Sequence, residues 1–255
     1  MDKQPISSDR GSPLSLVLNG GQTGPAVPFL VVLAFVLVWE VMVRLFDVPR
    51  YLLPAPTAIA QVVGEKYAIL FSDTAVTFLE ALLGVALGCT VAFITGSVFA
   101  VFRPVERAVI PLFVAFQAVP LVAVAPLLII WLGNGLASKV VMAALICYFP
   151  MAISCTTGIK NTAQDMVDLM KIVGASSWQL YWKARLPSAM PAIFSGLKIS
   201  ASFSVIGAIV SELAGADKGI GFQILMASYK TDTPMLFAAV VFAAVLGIGF
   251  YQLVC

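Results

Sequence analysis

Two glutamates, Glu80 and Glu212, stand inside long apolar runs of this chain with no helical partner in sight. A charge at mid-bilayer costs about 2.5–3.5 kcal/mol on insertion scales, so such a residue marks a site until a structural partner is found. An ion-coupled carrier would use carboxylates of this kind to hold a proton or a cation. Each could instead reach water or a neighbouring backbone amide. Glu40 and Arg44 lie four apart, so on a helix they share a face and can neutralise each other, a structural pair. Lys198 can snorkel to the membrane interface. The chain has no histidine, which excludes histidine-based zinc sites, most haem ligation and histidine-dependent triads. Cys89, Cys147 and Cys155 occupy apolar stretches without metal-ligand spacing and read as small hydrophobes; Cys255 is terminal. No G-x-x-x-x-G-K-[ST] phosphate loop is present. The chain itself is therefore expected to bind no ATP, no metal and no other cofactor, and to be no enzyme.

These residues are embedded in a sequence that is 60% hydrophobic and 11% charged, with mean hydropathy +1.00. Average soluble domains carry about 25% charged residues, so a soluble globule is excluded. The apolar runs are helix length and uninterrupted, not the alternating ten-residue segments of a barrel. The expectation is an all-α integral membrane protein with about six transmembrane helices. They fall near 28–46, 74–102, 105–124, 137–158, 188–213 and 234–254. The stretch 125–133 carries Pro126 and reads as a broken continuation of the third span. The stretch 219–229 is too short to cross and reads as re-entrant or interfacial. Irregular backbone is tolerated at either place only where protein or water shields it.

Orientation follows from Lys and Arg. One side holds Lys3, Arg10, Arg103, Arg107, Lys160, Lys171, Lys183 and Arg185; the other holds Arg50, Lys66, Lys139, Lys218 and Lys230. Eight against five places the N-terminus in the cytoplasm. The tail 1–25, rich in Gly, Ser, Pro and Gln, is expected to be a disordered cytoplasmic segment. It lacks the features of a cleaved signal peptide, so the first span is expected to be retained. Residues 26–255 then form a single transmembrane domain. In that arrangement Glu80 lies in the outer third of the second span and Glu212 near the outer end of the fifth.

Between the fourth and fifth spans, on the cytoplasmic side, lies a polar island, DLMKIVGASSWQLYWKARLP, from Asp168 to Pro187. Gly174 interrupts a helix and Ala175 and Ser176 restart one. Trp178, Tyr181 and Trp182 follow at spacings of three and four, so they share one face. Leu186-Pro187 is expected to close the second helix, because a residue before proline is pushed out of the helical region. The result is a short helix-turn-helix offering aromatics, Lys171, Lys183 and Arg185 to another protein.

This island resembles the EAA loop of binding-protein-dependent ABC importer permeases, matching at Gly174, Leu186 and Pro187. It departs where the family's Glu-Ala-Ala is Asp168-Leu169-Met170, and at Ala184, where a larger aliphatic residue is usual. From Leu52 onward the chain is similar to the nitrate/sulfonate/taurine/bicarbonate branch of those permeases, through LPAP (53–56), PLVAVAPLLIIWLG (120–133), LPSAMPAIFSG (186–196) and SELAGADKGIGF (211–222). The resemblance implies the type I importer fold: a cytoplasmic coupling helix-turn-helix (160–187), two permease copies forming a homodimer around a pathway, and a multi-pass position in the bacterial plasma (inner) membrane. The partners it implies are cytoplasmic ABC ATPase subunits, which carry ATP-Mg, and an extracytoplasmic substrate-binding protein, with lipid around the spans and no nucleic acid. It assigns ATPase docking to Asp168, Gly174, Ala175, Ser176, Trp178 and Tyr181, with Trp182, Arg185, Leu186 and Pro187.

A translocation pathway is expected to be lined by small, weakly polar side chains. Ser200, Ser204, Gly207, Ser211 and Glu212 of the fifth span are candidates, as are Gln117 and Pro120 of the third. Small residues serve helix packing equally well, so both readings stand. The function expected is a permease subunit carrying a small polar or anionic solute: nitrate, a sulfonate, taurine, bicarbonate or, from relatives of that branch, a thiamine-precursor pyrimidine or riboflavin. The alternative is an ion-coupled secondary transporter using Glu80 or Glu212, although no internal repeat between the halves supports it.

Overall fold

The computed structural model describes residues 26–254 except 103, 106, 109, 110, 112–114, 116 and 117. The expected disordered tail, Arg103, Gln117 and Cys255 therefore lie outside the described residues. Among the described residues every regular element is helical. They fall into two compact units, one ending at Val48 and the other starting at Pro49.

The first unit contributes α1 (Ala26–Leu45). On it Glu40 accepts a hydrogen bond from Arg44 Nε, the i,i+4 pair that the spacing predicts. The helix closes at Asp47, which takes the left-handed conformation (φ 48°), with Val48 N–H bonded back to the Val43 carbonyl. Asp visits that region more readily than most residues because its short side chain bonds locally.

The second unit runs α2 (Pro56–Val101), α3 (Leu121–Leu132), α4 (Leu136–Lys160), α5 (Gln164–Ile172), α6 (Ser177–Leu180), a π-turn (Tyr181–Arg185), α7 (Leu186–Gly215), α8 (Ile220–Tyr229) and α9 (Thr233–Leu253). Among the described residues four stretches are long and apolar enough to cross a membrane: α2, α4, the continuous helix Ser177–Gly215, and α9. They match the expected second, fourth, fifth and sixth spans. Helix α1 has the position of the first; the third is only partly described, and α3 begins within it after Pro120.

Two boundaries differ from expectation. Helix α2 starts at Pro56 rather than near Thr74 and has 46 residues. At 1.5 Å per residue it is roughly 69 Å long, about twice the hydrocarbon thickness. A hydropathy window starts where side chains become apolar, whereas the helix itself starts at Pro56, a residue suited to a first helical turn. A break in helical dihedrals at Lys66 (φ −114°, ψ 18°) separates the leading arm from the apolar one. The second difference corrects the expected stop at Leu186-Pro187: Leu186 is helical (φ −64°, ψ −47°) and the chain continues into α7. Proline cannot donate to the carbonyl four residues back and crowds it. The π-turn widens the helix at that point, with Leu186 N–H bonded to the Tyr181 carbonyl five residues earlier.

Close approach of α2, α4 and α7 makes the core. Gly84, Gly88, Ala92 and Gly96 recur every four residues along α2. A Cβ on Gly88 would meet the Ala144 carbonyl at 2.5 Å and Cys147 Sγ at 2.6 Å, and one on Gly84 would overlap Ala143. From the other side, a Cβ on Gly207 of α7 would stand 2.5 Å from Ala143 Cα. Cys147 and Cys155 are fully buried in this seam, as small hydrophobes. Where helices cannot rely on water to drive them together, small residues that let backbones touch take over that role.

Candidate functional site

At one end of the bundle, α5 and α6 form a hook between two candidate spans. Helix α5 has Asp165 in its first turn and Lys171 in its last, both favourable to the helix dipole. It ends in two backbone bonds, Ala175 N–H to the Met170 carbonyl and Gly174 N–H to the Lys171 carbonyl. Gly174 between them has φ 73°. That is a Schellman cap, which needs a residue at ease in the left-handed region. One residue later Ser176 opens α6 with a capping box: its Oγ accepts from Gln179 N–H at 3.3 Å, and Gln179 Oε1 accepts from Ser176 N–H at 2.9 Å. Gly174, Ala175 and Ser176 thus end one helix and begin the next with no slack between.

The hook is fastened from below. Tyr181 donates a hydrogen bond from its hydroxyl to Ser97 Oγ of α2 at 2.8 Å. Leu186 packs on the cluster of Ile159, Ala189 and Ile193, and Ala184 is buried. Above, the surface is apolar and open. Ile172 is 82% exposed, Trp178 70% and Val173 68%, with Leu169 and Trp182 beside them. Trp178 and Trp182 meet edge to face at 5.4 Å between ring centres. Asp168 is exposed and accepts from Gln164 Nε2 at 3.0 Å and Lys171 Nζ at 3.3 Å, so it braces α5 from its solvent side. Arg185 is half-buried at the end of the π-turn, and Pro187 opens α7.

The described residues expected to line a pathway sit on α7 and at the start of α3. Ser200, Ser204, Gly207 and Ser211 follow one another at four, three and four residues, and all are buried in the seam against α4. Ser200 Oγ donates to the Cys147 carbonyl at 2.9 Å, and Ser204 Oγ to the Ala201 carbonyl at 2.7 Å. Ser202, on the neighbouring face, lines a groove of about 520 Å³ between α7 and α9. Pro120 is exposed at the start of α3.

Glu212 is fully buried at the far end of α7, where it gathers a polar cluster. Its Oε1 accepts from Thr77 Oγ1 at 2.7 Å and its Oε2 from Gly221 N–H. Glu80 and Lys139, also buried, adjoin it. Asp73 accepts from Gln223 Nε2, and Ile220 N–H donates to Thr77 Oγ1 at 2.9 Å. Sequence reasoning missed Asp73, Thr77, Lys139 and Gln223. The signal that could have found them is the spacing Asp73, Thr77, Glu80, polar residues four and three apart on one face of an otherwise apolar helix.

Comparison with known proteins identifies the family and the fold. The family described as "Binding-protein-dependent transport system inner membrane component" matches residues 84–254. The chain is 36% identical to a probable ABC transporter permease protein of Haemophilus influenzae, covering 88% of this chain and 91% of that one. It is 32% identical to the formylaminopyrimidine transport permease protein of Halalkalibacterium halodurans, covering 87% and 88%. Among solved structures, the MetNI methionine ABC transporter in an inward-facing form superposes with a TM-score of 0.56 at 17% identity, over 76% of this chain and 96% of that one, a likeness of fold. The chain therefore belongs to the binding-protein-dependent transport system inner membrane components, the permease subunits of ABC importers, in the branch that includes the aliphatic sulfonate and taurine permeases.

Proposed function

We propose that two copies of this permease pair around a translocation pathway, with cytoplasmic ABC ATPases docked on the hook and an extracytoplasmic substrate-binding protein on the opposite face. The carrying observation is the apolar, aromatic surface of the hook, with Leu169, Ile172 and Val173 exposed on α5, outside the candidate spans, and Trp178 exposed in the first turn of the next one. A patch of that kind marks a partner, and tryptophan is enriched among residues that dominate interfaces. Asp168 braces α5 and the turn Gly174–Ser176 sets the angle between the two helices; Tyr181, Arg185, Leu186 and Pro187 join the hook to the bundle. ATP-Mg binds to and is hydrolysed on the partner subunits. The excess of Lys and Arg around the hook puts it and the N-terminus in the cytoplasm of a multi-pass protein of the plasma membrane, with six spans.

The pathway runs past Gln117, Pro120 and the exposed edge of α7, backed by the seam that Ser200, Ser204, Gly207 and Ser211 hold closed. The solute is small and polar or anionic. Relatives named for formylaminopyrimidine, riboflavin, aliphatic sulfonates and taurine define the candidates to test. Both carboxylate oxygens of Glu212 already have donors, which disfavours a coupling role for it. In liposomes containing the permease, ATPase and binding protein, uptake is expected to require ATP, to need no ion gradient and to survive Glu80→Gln. Uptake that proceeds without nucleotide, collapses with an uncoupler and disappears in Glu80→Gln would overturn the importer reading in favour of ion coupling.

A further inference from the structure

The polar cluster at the far end of α7 does something the hook does not: it ties a helix that cannot cross the membrane to two that do. Helix α8 has 10 residues, too few to span a bilayer. Since α7 begins at the hook and crosses the membrane, α8 lies on the face opposite the hook. The first N–H groups of a helix have no partner within it, and those of α8 are buried. Ile220 N–H finds Thr77 Oγ1 on α2, and Gly221 N–H finds Glu212 Oε2 on α7. Thr77 has one hydroxyl hydrogen and two acceptors in reach, the Glu212 carboxylate at 2.7 Å and its own Asp73 carbonyl at 3.1 Å. Directed at the closer oxygen, it completes a chain from the backbone of α8 through α2 to α7.

Glycine makes the chain possible. A Cβ on Gly219, whose φ is 108°, would land on the Glu212 carboxyl, and one on Gly221 would stand 2.8 Å from Glu212 Oε2. Two further ties secure α8 and the turn that follows it: Gln223 Nε2 donates to Asp73 of α2, and Lys66, at the break in α2, pairs with Asp232 at 3.2 Å. Asp232 also caps α9, accepting from Met235 N–H at 3.2 Å.

We infer that Thr77 and Glu212 are positioning residues that bind α8 to α2 and α7, so that these elements travel as one body on the extracytoplasmic face of the permease. The inference rests on the importer reading above. Prising α8 from α2 during transport would strand the buried N–H of Ile220, and prising it from α7 that of Gly221, whereas moving the whole block strands neither.

The test uses the complete complex in liposomes. Thr77→Val keeps the shape and removes the hydroxyl; Thr77→Ser restores it. Thr77→Val is expected to leave ATP hydrolysis by the complex unchanged while uptake falls about tenfold, the scale of one stranded buried donor, and Thr77→Ser to match the parent. A loss of folding would lower both readouts together. The second measurement replaces Lys66 and Asp232 by cysteine in a chain lacking Cys89, Cys147, Cys155 and Cys255, and joins them with a short reducible bifunctional thiol reagent. ATP-driven uptake should be the same before and after reduction. Uptake that is blocked by the cross-link and restored by reductant, or a Thr77→Val protein that transports like Thr77→Ser, would overturn the inference. If Thr77→Val fails to reach the membrane, the cross-link decides. Absence of ATP-dependent uptake by the unmodified complex is a distinct outcome, and counts against the importer reading instead.

Discussion

Gly174 is surrounded by open space, with no heavy atom within 4 Å of where a Cβ would stand. What it supplies is conformational: φ of 73° between two caps. A β-branched residue there costs about 1–2 kcal/mol in the left-handed region and would swing α6 away from α5. Gly174→Val is expected to reach the membrane at the parent's level yet retain roughly a tenth of the co-purified ATPase, a change of about 1.4 kcal/mol. Gly174→Asn, which tolerates that region, should keep most of it. Full co-purification and unchanged uptake with valine would show that docking lies elsewhere. This glycine was legible in the sequence because a cap glycine followed by a serine and a glutamine three residues on has a known local meaning. Thr77 was legible only as one of a polar face with Asp73 and Glu80; its role arises when residues 212 and 220 fold back beside it.

At the scale of elements, the seam between α2, α4 and α7 carries a sharp expectation. Gly88→Leu would drive a side chain into the Ala144 carbonyl and Cys147 Sγ. Overpacking of that kind costs about 1–3 kcal/mol. The thermal midpoint of the detergent-solubilised protein should fall by roughly 2–12 °C. Gly64→Leu, made on the same helix where nothing lies within 4 Å, should leave the midpoint unchanged; equal shifts for the two would count against the seam. Span positions were legible because uninterrupted apolar length is all that a bilayer demands of a helix. Helix ends were less so. The arm 56–65 is helical for reasons hydropathy does not register, and the π-turn lets Pro187 sit inside a helix that its presence would ordinarily stop. The spacing of Ser200, Ser204, Gly207 and Ser211 fitted a pathway and a packing seam alike, and only their burial against α4 tells which surface they occupy.

For the molecule as a whole, sidedness is the expectation most easily checked. In a chain without native cysteines, Val62→Cys and Tyr229→Cys should react with an impermeant thiol reagent added outside intact cells. Ser177→Cys should react only after permeabilisation, and the opposite pattern would reverse the orientation drawn from Lys and Arg. The unbroken helix from Ser177 to Gly215 has 39 residues. It begins in the hook, beside Trp178, and carries Glu212 near its other end. Such a helix is a lever roughly 58 Å long, and a tilt of about 5° imposed at one end sweeps the other through ~5 Å. Stiffness along that length lets a partner on one side of the membrane displace groups on the other without any change of fold between them.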